Sequence, residues 1–132
     1  MPNLAGLLQV PTIRSLLLLA VLFVYWPRAD AGEADILDVR PSCTADLVCS
    51  FTVTVEHADS GWDHYANKWD ILLTDGTVVA SRELMHPHEN EQPFTRSLQN
   101  VPLPPGTTEV DLRAHDLVHG YGGRMARVSI PQ

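Results

Sequence analysis

The sequence contains only two cysteines, Cys43 and Cys49, and no Gly-x-Ser-x-Gly motif. The missing motif argues against the nucleophile elbow of an α/β-hydrolase. Basic residues are also few, because nine Lys and Arg face sixteen Asp and Glu. A surface with this charge repels the phosphates of nucleic acids, so we expect no nucleic-acid partner.

The sequence has no apolar run as long as the roughly 20 residues that span a bilayer. Its longest run, residues 15–24, follows Arg14 and precedes the small-x-small pattern Ala29-Asp30-Ala31. This order is typical of a secretory signal peptide, with an uncleaved anchor as the alternative. We predict a signal peptide over residues 1–31, cleaved near Ala31, and a periplasmic or secreted domain over residues 32–132 without a membrane span.

Removal of this leader would leave seven basic and fifteen acidic residues in one domain of about 100 residues. No cysteine lies near the predicted cleavage point, which argues against a lipid-anchored form. Export places Cys43 and Cys49 in an oxidising compartment, and the five residues between them suit a turn. We therefore predict a hairpin disulfide; a thiolate metal site is the alternative.

Apolar residues alternate with period two after the leader, and helical periodicity is absent from this sequence pattern. The pattern predicts strands at residues 35–40, 50–56, 65–74, 77–84, 94–101, 109–115 and 124–130, with Pro41 ending the first. Seven short strands in about 100 residues indicate an all-β fold, a seven-stranded antiparallel β-sandwich of the immunoglobulin or fibronectin type III kind.

The segment from Leu98 to His115 strengthens this prediction. Its Leu-x-x-Val-x-Leu-Pro-Pro-Gly-Thr turn followed by an alternating strand resembles the later strands of fibronectin type III domains. Trp69 stands where such domains often carry a core aromatic residue on the third strand, whereas their core tyrosine of the sixth strand is missing. The resemblance implies the sandwich fold; fold alone does not define a function.

A second resemblance concerns a motif. The string His-Pro-His-x-x-Glu-Gln-Pro-Phe-Thr-Arg-Ser, beginning at His86, is followed downstream by His-Asp-x-x-His-Gly-x-Gly-Gly, beginning at His115. Together they resemble small exported bacterial proteins of unassigned function. This resemblance implies export and does not indicate which activity, if any, the protein has.

All six histidines fall in the second, fourth and sixth connections between the predicted strands. Alternate connections of an antiparallel fold lie at the same end, so these histidines are expected to share one rim. Imidazole is the commonest metal ligand in proteins and titrates near neutral pH. The pattern therefore predicts a metal site at this rim.

His86 and His88 are the sharpest candidates, because residues i and i+2 of an extended segment project to one side. Glu89 and Glu91 can add oxygen ligands or orient the imidazoles. The other predicted ligands are His64, His115 and His119; His57 is a weaker candidate at a strand end, and Asp116 can simply cap a turn.

Imidazole and carboxylate ligands suit zinc or copper better than magnesium or calcium. The first functional hypothesis is an exported carrier or buffer of copper or zinc. The alternative is an immunoglobulin-like recognition module that binds a periplasmic or cell-surface protein, or a carbohydrate, through Trp62, Tyr65 and Tyr121. An enzyme is a third possibility, to which the sequence assigns no catalytic residue.

Overall fold

The computed structural model of the chain describes Gly6 and residues 32–132. The predicted signal peptide therefore lies outside the described residues, apart from Gly6. Within the described ranges, no helix is long and apolar enough to cross a membrane.

Residues 32–132 form seven antiparallel strands in two sheets, which confirms the predicted β-sandwich. The strands are β1 (Asp35–Cys43), β2 (Val48–Glu56), β3 (Ala66–Leu72), β4 (Val78–Glu83), β5 (Phe94–Pro102), β6 (Glu109–Asp116) and β7 (Ala126–Ser129). One sheet has the order β1-β2-β5 and the other has the order β4-β3-β6-β7.

The inward side chains of the two sheets form one apolar core. Phe51, Val53 and Val55 of β2 are completely buried, as the alternation of this strand predicts. Trp69 of β3 and Leu112 of β6 are their buried counterparts in the other sheet. Each such side chain contributes about 1.5–3 kcal/mol by leaving water.

Strand β1 continues through Pro41 to Cys43, so the prediction that Pro41 ends this strand is wrong. The physical reason is its position at the edge of the three-stranded sheet. An edge strand tolerates a residue without a backbone N–H. The predicted inward residue Leu73 is only half buried, because β3 ends at Leu72 and Leu73 begins the turn to β4. Leu72 is buried but does not belong to the core cluster that contains Trp69 and Ile71.

Cys43 and Cys49 lie opposite each other in the β1–β2 pair and form the predicted disulfide. The bond joins two strands of the same sheet. It lies at the start of β2, and therefore at the opposite end of the sandwich from the connection that follows β2.

The beginning of β1 also contacts the segment that leads into β7. Arg124 donates its backbone N–H to Asp35 Oδ1 (2.6 Å), and Ile36 donates its N–H to the carbonyl oxygen of Arg124 (2.8 Å). A Cβ atom at Gly123 would lie 2.0 Å from the carbonyl oxygen of Ala34. Glycine is therefore required at this crossing between the two sheets.

Candidate metal centre

Two core-facing rows of side chains change from apolar to polar at the same end of the sandwich. In β2 the buried row Phe51, Val53 and Val55 continues to His57, just beyond the strand. In β6 the buried row of Val110, Leu112 and Ala114 continues to Asp116. The alternation that builds the core thus directs an imidazole and a carboxylate into the space between the sheets.

Two loops add further imidazoles to this space. The β2–β3 loop turns back at His64, whose N–H donates to the carbonyl oxygen of Gly61 (3.2 Å). This turn places the His64 ring edge-on to that of His57, with 4.9 Å between the ring centroids. The ring of His119, in the β6–β7 connection, lies 5.1 Å from that of His64.

The turn that carries His119 is short and is fixed by hydrogen bonds. Asp116 and Gly120 exchange two backbone hydrogen bonds, of 3.1 and 3.0 Å. Gly120 has a positive φ of 69°, a conformation that favours glycine. The carboxylate oxygen Oδ1 of Asp116 accepts the N–H groups of Val118 (2.9 Å) and His119 (2.7 Å). Asp116 thus caps its own turn with one oxygen and leaves the other available.

Asp59 orients His57. The Nδ1 atom of His57 lies 2.5 Å from Asp59 Oδ1, which also accepts the N–H of Ala66 (2.9 Å). Burial raises the pKa of Asp59, but hydrogen bonds from His57, His88 and Ala66 outweigh it and hold this pKa below its usual value. Because the ionised carboxylate only accepts, Nδ1 of His57 carries the hydrogen, and in the neutral imidazole the lone pair is then on Nε2.

The second hydrogen-bond acceptor of the site is Asp116. Burial raises its pKa, but the hydrogen bonds from the backbone of His119 and Val118 hold the pKa below its usual value. Asp116 is therefore a carboxylate at neutral pH. Its Oδ2 atom lies 3.9 Å from His57 Nε2, and its Oδ1 atom lies 3.4 Å from His64 Nε2.

Three buried atoms of this group, His57 Nε2, His64 Nε2 and Asp116 Oδ2, have no hydrogen-bond partner among the residues that the structure describes. One potential ligand atom from each residue lies within 4.8 Å of the others. Donors bound tetrahedrally at about 2.1 Å to one zinc ion are about 3.4 Å apart. We call His57, His64 and Asp116 the His–Asp cluster; its spacing fits a transition-metal ion after small adjustments.

The hydrogen bonds that orient His57 are of the kind found at metal sites. A metal-binding histidine commonly donates its other ring N–H to a carboxylate, as His57 does to Asp59. Gln92 holds the same region by accepting the N–H of His57 (3.0 Å) and donating to the carbonyl oxygen of His88 (3.0 Å). His57 is thus fixed through its ring and its backbone.

The predicted ligands His86 and His88 lie beside the cluster and outside it. Their rings are 4.5 Å apart; His86 is exposed, whereas His88 is buried and stacks on Phe94. The backbone N–H of His88 donates to Asp59 Oδ2 (2.7 Å). The two segments are therefore connected through Asp59 rather than through a shared group of imidazoles.

The predicted ligands His115 and Glu91 have other neighbours. His115 precedes Asp116 in β6, so its side chain is on the outer face, where Nδ1 lies 2.6 Å from Asn67 Oδ1. Glu91 forms an ion pair with Arg96, at 3.2 Å. The structure thus brings His64 and His119 to the cluster and leaves His115 and Glu91 apart from it.

The three aromatic residues predicted to form one binding surface lie in two different places. Trp62 is 66% exposed and packs edge-on against Tyr65, with 5.8 Å between the ring centroids. Trp62 also lines an open groove of about 480 Å³ with residues 86–91. Tyr121 instead covers the outer face of the four-stranded sheet, where it lies 3.8 Å from the guanidinium of Arg113 and donates to Asp70 Oδ2 (2.7 Å).

His57 and Asp116 are the cluster members to which sequence reasoning gave least weight. Both lie one step of two residues beyond the last apolar side chain of a core-facing row. Continuing the period of β2 and β6 across the strand ends is the signal that finds them.

Comparison with known proteins adds one relative to this description. No protein-family model and no solved structure matches the chain. A protein of Halomicrobium mukohataei named "Putative lipoprotein" is 41% identical over 95 residues. The matched region is 72% of this chain and 46% of the relative, so the chain spans about half the length of that protein.

Proposed function

We propose that this protein is an exported metal carrier or buffer that binds one zinc or copper ion in the His–Asp cluster. The observation that carries the proposal is the pair of buried acceptors His57 Nε2 and Asp116 Oδ2. They face each other at 3.9 Å, and neither has a donor among residues 32–132. Two buried acceptors with no donor are unfavourable unless a cation or a bridging donor such as water lies between them.

A metal ion fits this gap better than a proton. A direct hydrogen bond between the two atoms would need a separation close to 2.9 Å, well below the observed 3.9 Å. Bonds of about 2.0–2.2 Å from each ligand to one ion match the gap. Two imidazole nitrogens and a carboxylate oxygen favour zinc or copper over magnesium and calcium.

Export is supported by three observations of different kinds. Residues 1–31 have the sequence pattern of a secretory leader, although all of them except Gly6 lie outside the described residues. The disulfide between Cys43 and Cys49 suits an oxidising compartment. The relative from Halomicrobium mukohataei carries the name of a lipoprotein, a class that is exported and membrane-anchored.

The test is the metal content of the full chain, exported through its own leader and purified without chelator. Mass spectrometry should find about one equivalent of zinc or copper per chain. The variants His57→Gln and Asp116→Asn should each lose it, with affinity falling by more than the roughly 10–100-fold that loss of an outer-shell partner causes.

Two matched controls separate this effect from a general loss of imidazole. His115→Gln changes the neighbour of Asp116 on the outer face, and His86→Gln changes an exposed histidine of the same rim. Both should retain the metal. Loss of metal in His86→Gln with retention in His57→Gln would contradict the proposed ligands.

A recognition module is the second candidate function, and the observation that favours it is the groove beside Trp62. An exposed indole on the wall of a groove of about 480 Å³ offers a flat surface for a sugar or a peptide. Wild-type protein that contains no metal, and takes up neither added zinc nor added copper, would favour this function over the metal carrier.

A further inference from the structure

The side chains around the His–Asp cluster differ in their access to solvent. The side chains of His57 and Asp116 are 0% exposed, whereas His64 is 17% and His119 is 37% exposed. The cluster is therefore closed on the side of the core and most open beside His119. An ion in the cluster meets solvent first through this opening.

His119 lies at the border of the cluster. Its Nδ1 atom lies 3.3 Å from Asp116 Oδ1, the oxygen that caps the turn, so its side chain must move to bring this nitrogen to an ion held by Asp116 Oδ2. Its ring packs against that of His64, and its backbone is held by the carboxylate of Asp116. His57, His64 and Asp116 supply three ligands, and zinc in proteins usually takes four.

We infer that His119 is the fourth ligand of the ion and the one that exchanges when the metal enters or leaves. This inference rests on the proposed metal function. In the exchange, the bond from the ion to His119 Nδ1 breaks and an incoming imidazole or thiolate donor forms a bond to the same ion. The ion keeps its charge and no electron is transferred.

The position of His119 makes this exchange easier than it would be at the other ligands. The residues preceding it in the turn, Leu117 and Val118, are 46% and 59% exposed, so the turn borders solvent. His57 is held by Asp59 and is buried at the end of the core. Breaking the bond from the ion to His57 would therefore require the interior to open. A partner that accepts the metal is therefore expected to approach from the His119 side.

The test uses cobalt(II) as a coloured probe of the ligand set. Wild-type protein should show the intense visible absorption bands of a four-coordinate cobalt site. In His119→Gly the bands should weaken and shift as water replaces the imidazole, and added free imidazole should restore them. Transfer of cobalt from this variant to a chelator should be at least about 10-fold faster than from the wild type.

Val118→Ala is the matched control, because it changes a neighbouring exposed side chain of the same turn. It should keep the wild-type spectrum and transfer rate. His57→Gly should lose cobalt and should not be restored by imidazole, because its position is buried.

The outcomes separate the two proposals. Wild-type bands that persist in His119→Gly would overturn the role of His119 and leave the His–Asp cluster in place. Failure of the wild-type protein to bind cobalt, zinc or copper would overturn the metal function itself, and the inference with it.

Discussion

Replacing a buried histidine with leucine should make the protein more stable. The side chain of His88 is 3% exposed, and its two ring nitrogens have no hydrogen-bond partner in the described part of the chain. Burial, followed by the charges of Arg96 and His86, lowers the pKa of His88, so the ring is neutral at pH 7. Leucine removes the two polar atoms and keeps a similar apolar volume.

The expected gain follows from two opposing contributions. Each buried polar group without a partner costs about 1–3 kcal/mol. The Nδ1 atom of His88 is 3.9 Å from Asp59 Oδ2, and this carboxylate offsets part of the cost of burying it. The full cost of burial is therefore assigned only to Nε2. Loss of the stack on Phe94, with 4.0 Å between the centroids, removes about 0.5–1.5 kcal/mol of stability. The net change for His88→Leu is a gain of about 1 kcal/mol.

Urea unfolding measures this change. With an m value of about 2 kcal/mol/M, the midpoint should rise by about 0.5 M at constant m. His86→Leu is the control, because His86 is exposed in the same loop and its replacement should change stability by less than about 0.5 kcal/mol. A loss of 1 kcal/mol or more in His88→Leu would refute the reasoning, and would mean that the imidazole has a partner in solution.

Four further predictions concern the core, the surface network, the disulfide and the site. Gly123→Ala should cost more than about 2 kcal/mol in urea unfolding, because its Cβ would meet a backbone oxygen at 2.0 Å. Burial raises the pKa of Asp70, but hydrogen bonds from Ser81, Tyr121 and Arg113 lower it further, to below its usual value. Stability from this group is therefore present above about pH 4 and lost as the pH falls through the folded pKa, so Asp70→Asn should cost about 1–3 kcal/mol at pH 7 and little in acid. Reduction of the disulfide should cost about 2 kcal/mol, measured by unfolding with and without a reductant. Zinc at 100 times its dissociation constant should add about 2.7 kcal/mol to the wild-type protein and nothing to Asp116→Asn, measured by thermal unfolding.

The strands could be predicted because their alternation reflects burial on one face of a sheet. Phe51, Val53 and Val55 are inward in the sequence pattern and buried in the structure. The errors arise where tertiary context decides. Pro41 lies within a strand because that strand is at an edge, and the predicted inward residue Leu73 is only half buried because β3 ends one residue before it.

The site could be predicted only in part. Alternate connections place histidines from three loops at one end of the sandwich. In the structure the ring of His64 packs between those of His57 and His119. The sequence gives most weight to His86 and His88 because the i, i+2 rule holds for extended strands. The segment 84–93 is a loop, so its backbone turns one ring into the interior and leaves the other in solvent.

The contact that defines the cluster joins residues far apart in the chain. Asp116 is the last residue of β6 in one sheet, and His57 follows β2 in the other. Their distance depends on how the sheets pack and on how two loops bend, and no short-range pattern encodes either. The rows of core residues give the direction of both side chains but not the distance between them.

The placement of the cluster has a mechanical consequence. In antibody domains a disulfide joins the second and sixth strands across the two sheets. Here the disulfide lies within one sheet, and His57 and Asp116 extend from the second and sixth strands at the far end. A bound ion would be a reversible crosslink between the two sheets. The metal-bound protein would resist separation of the sheets at this end, and the metal-free protein would open there first.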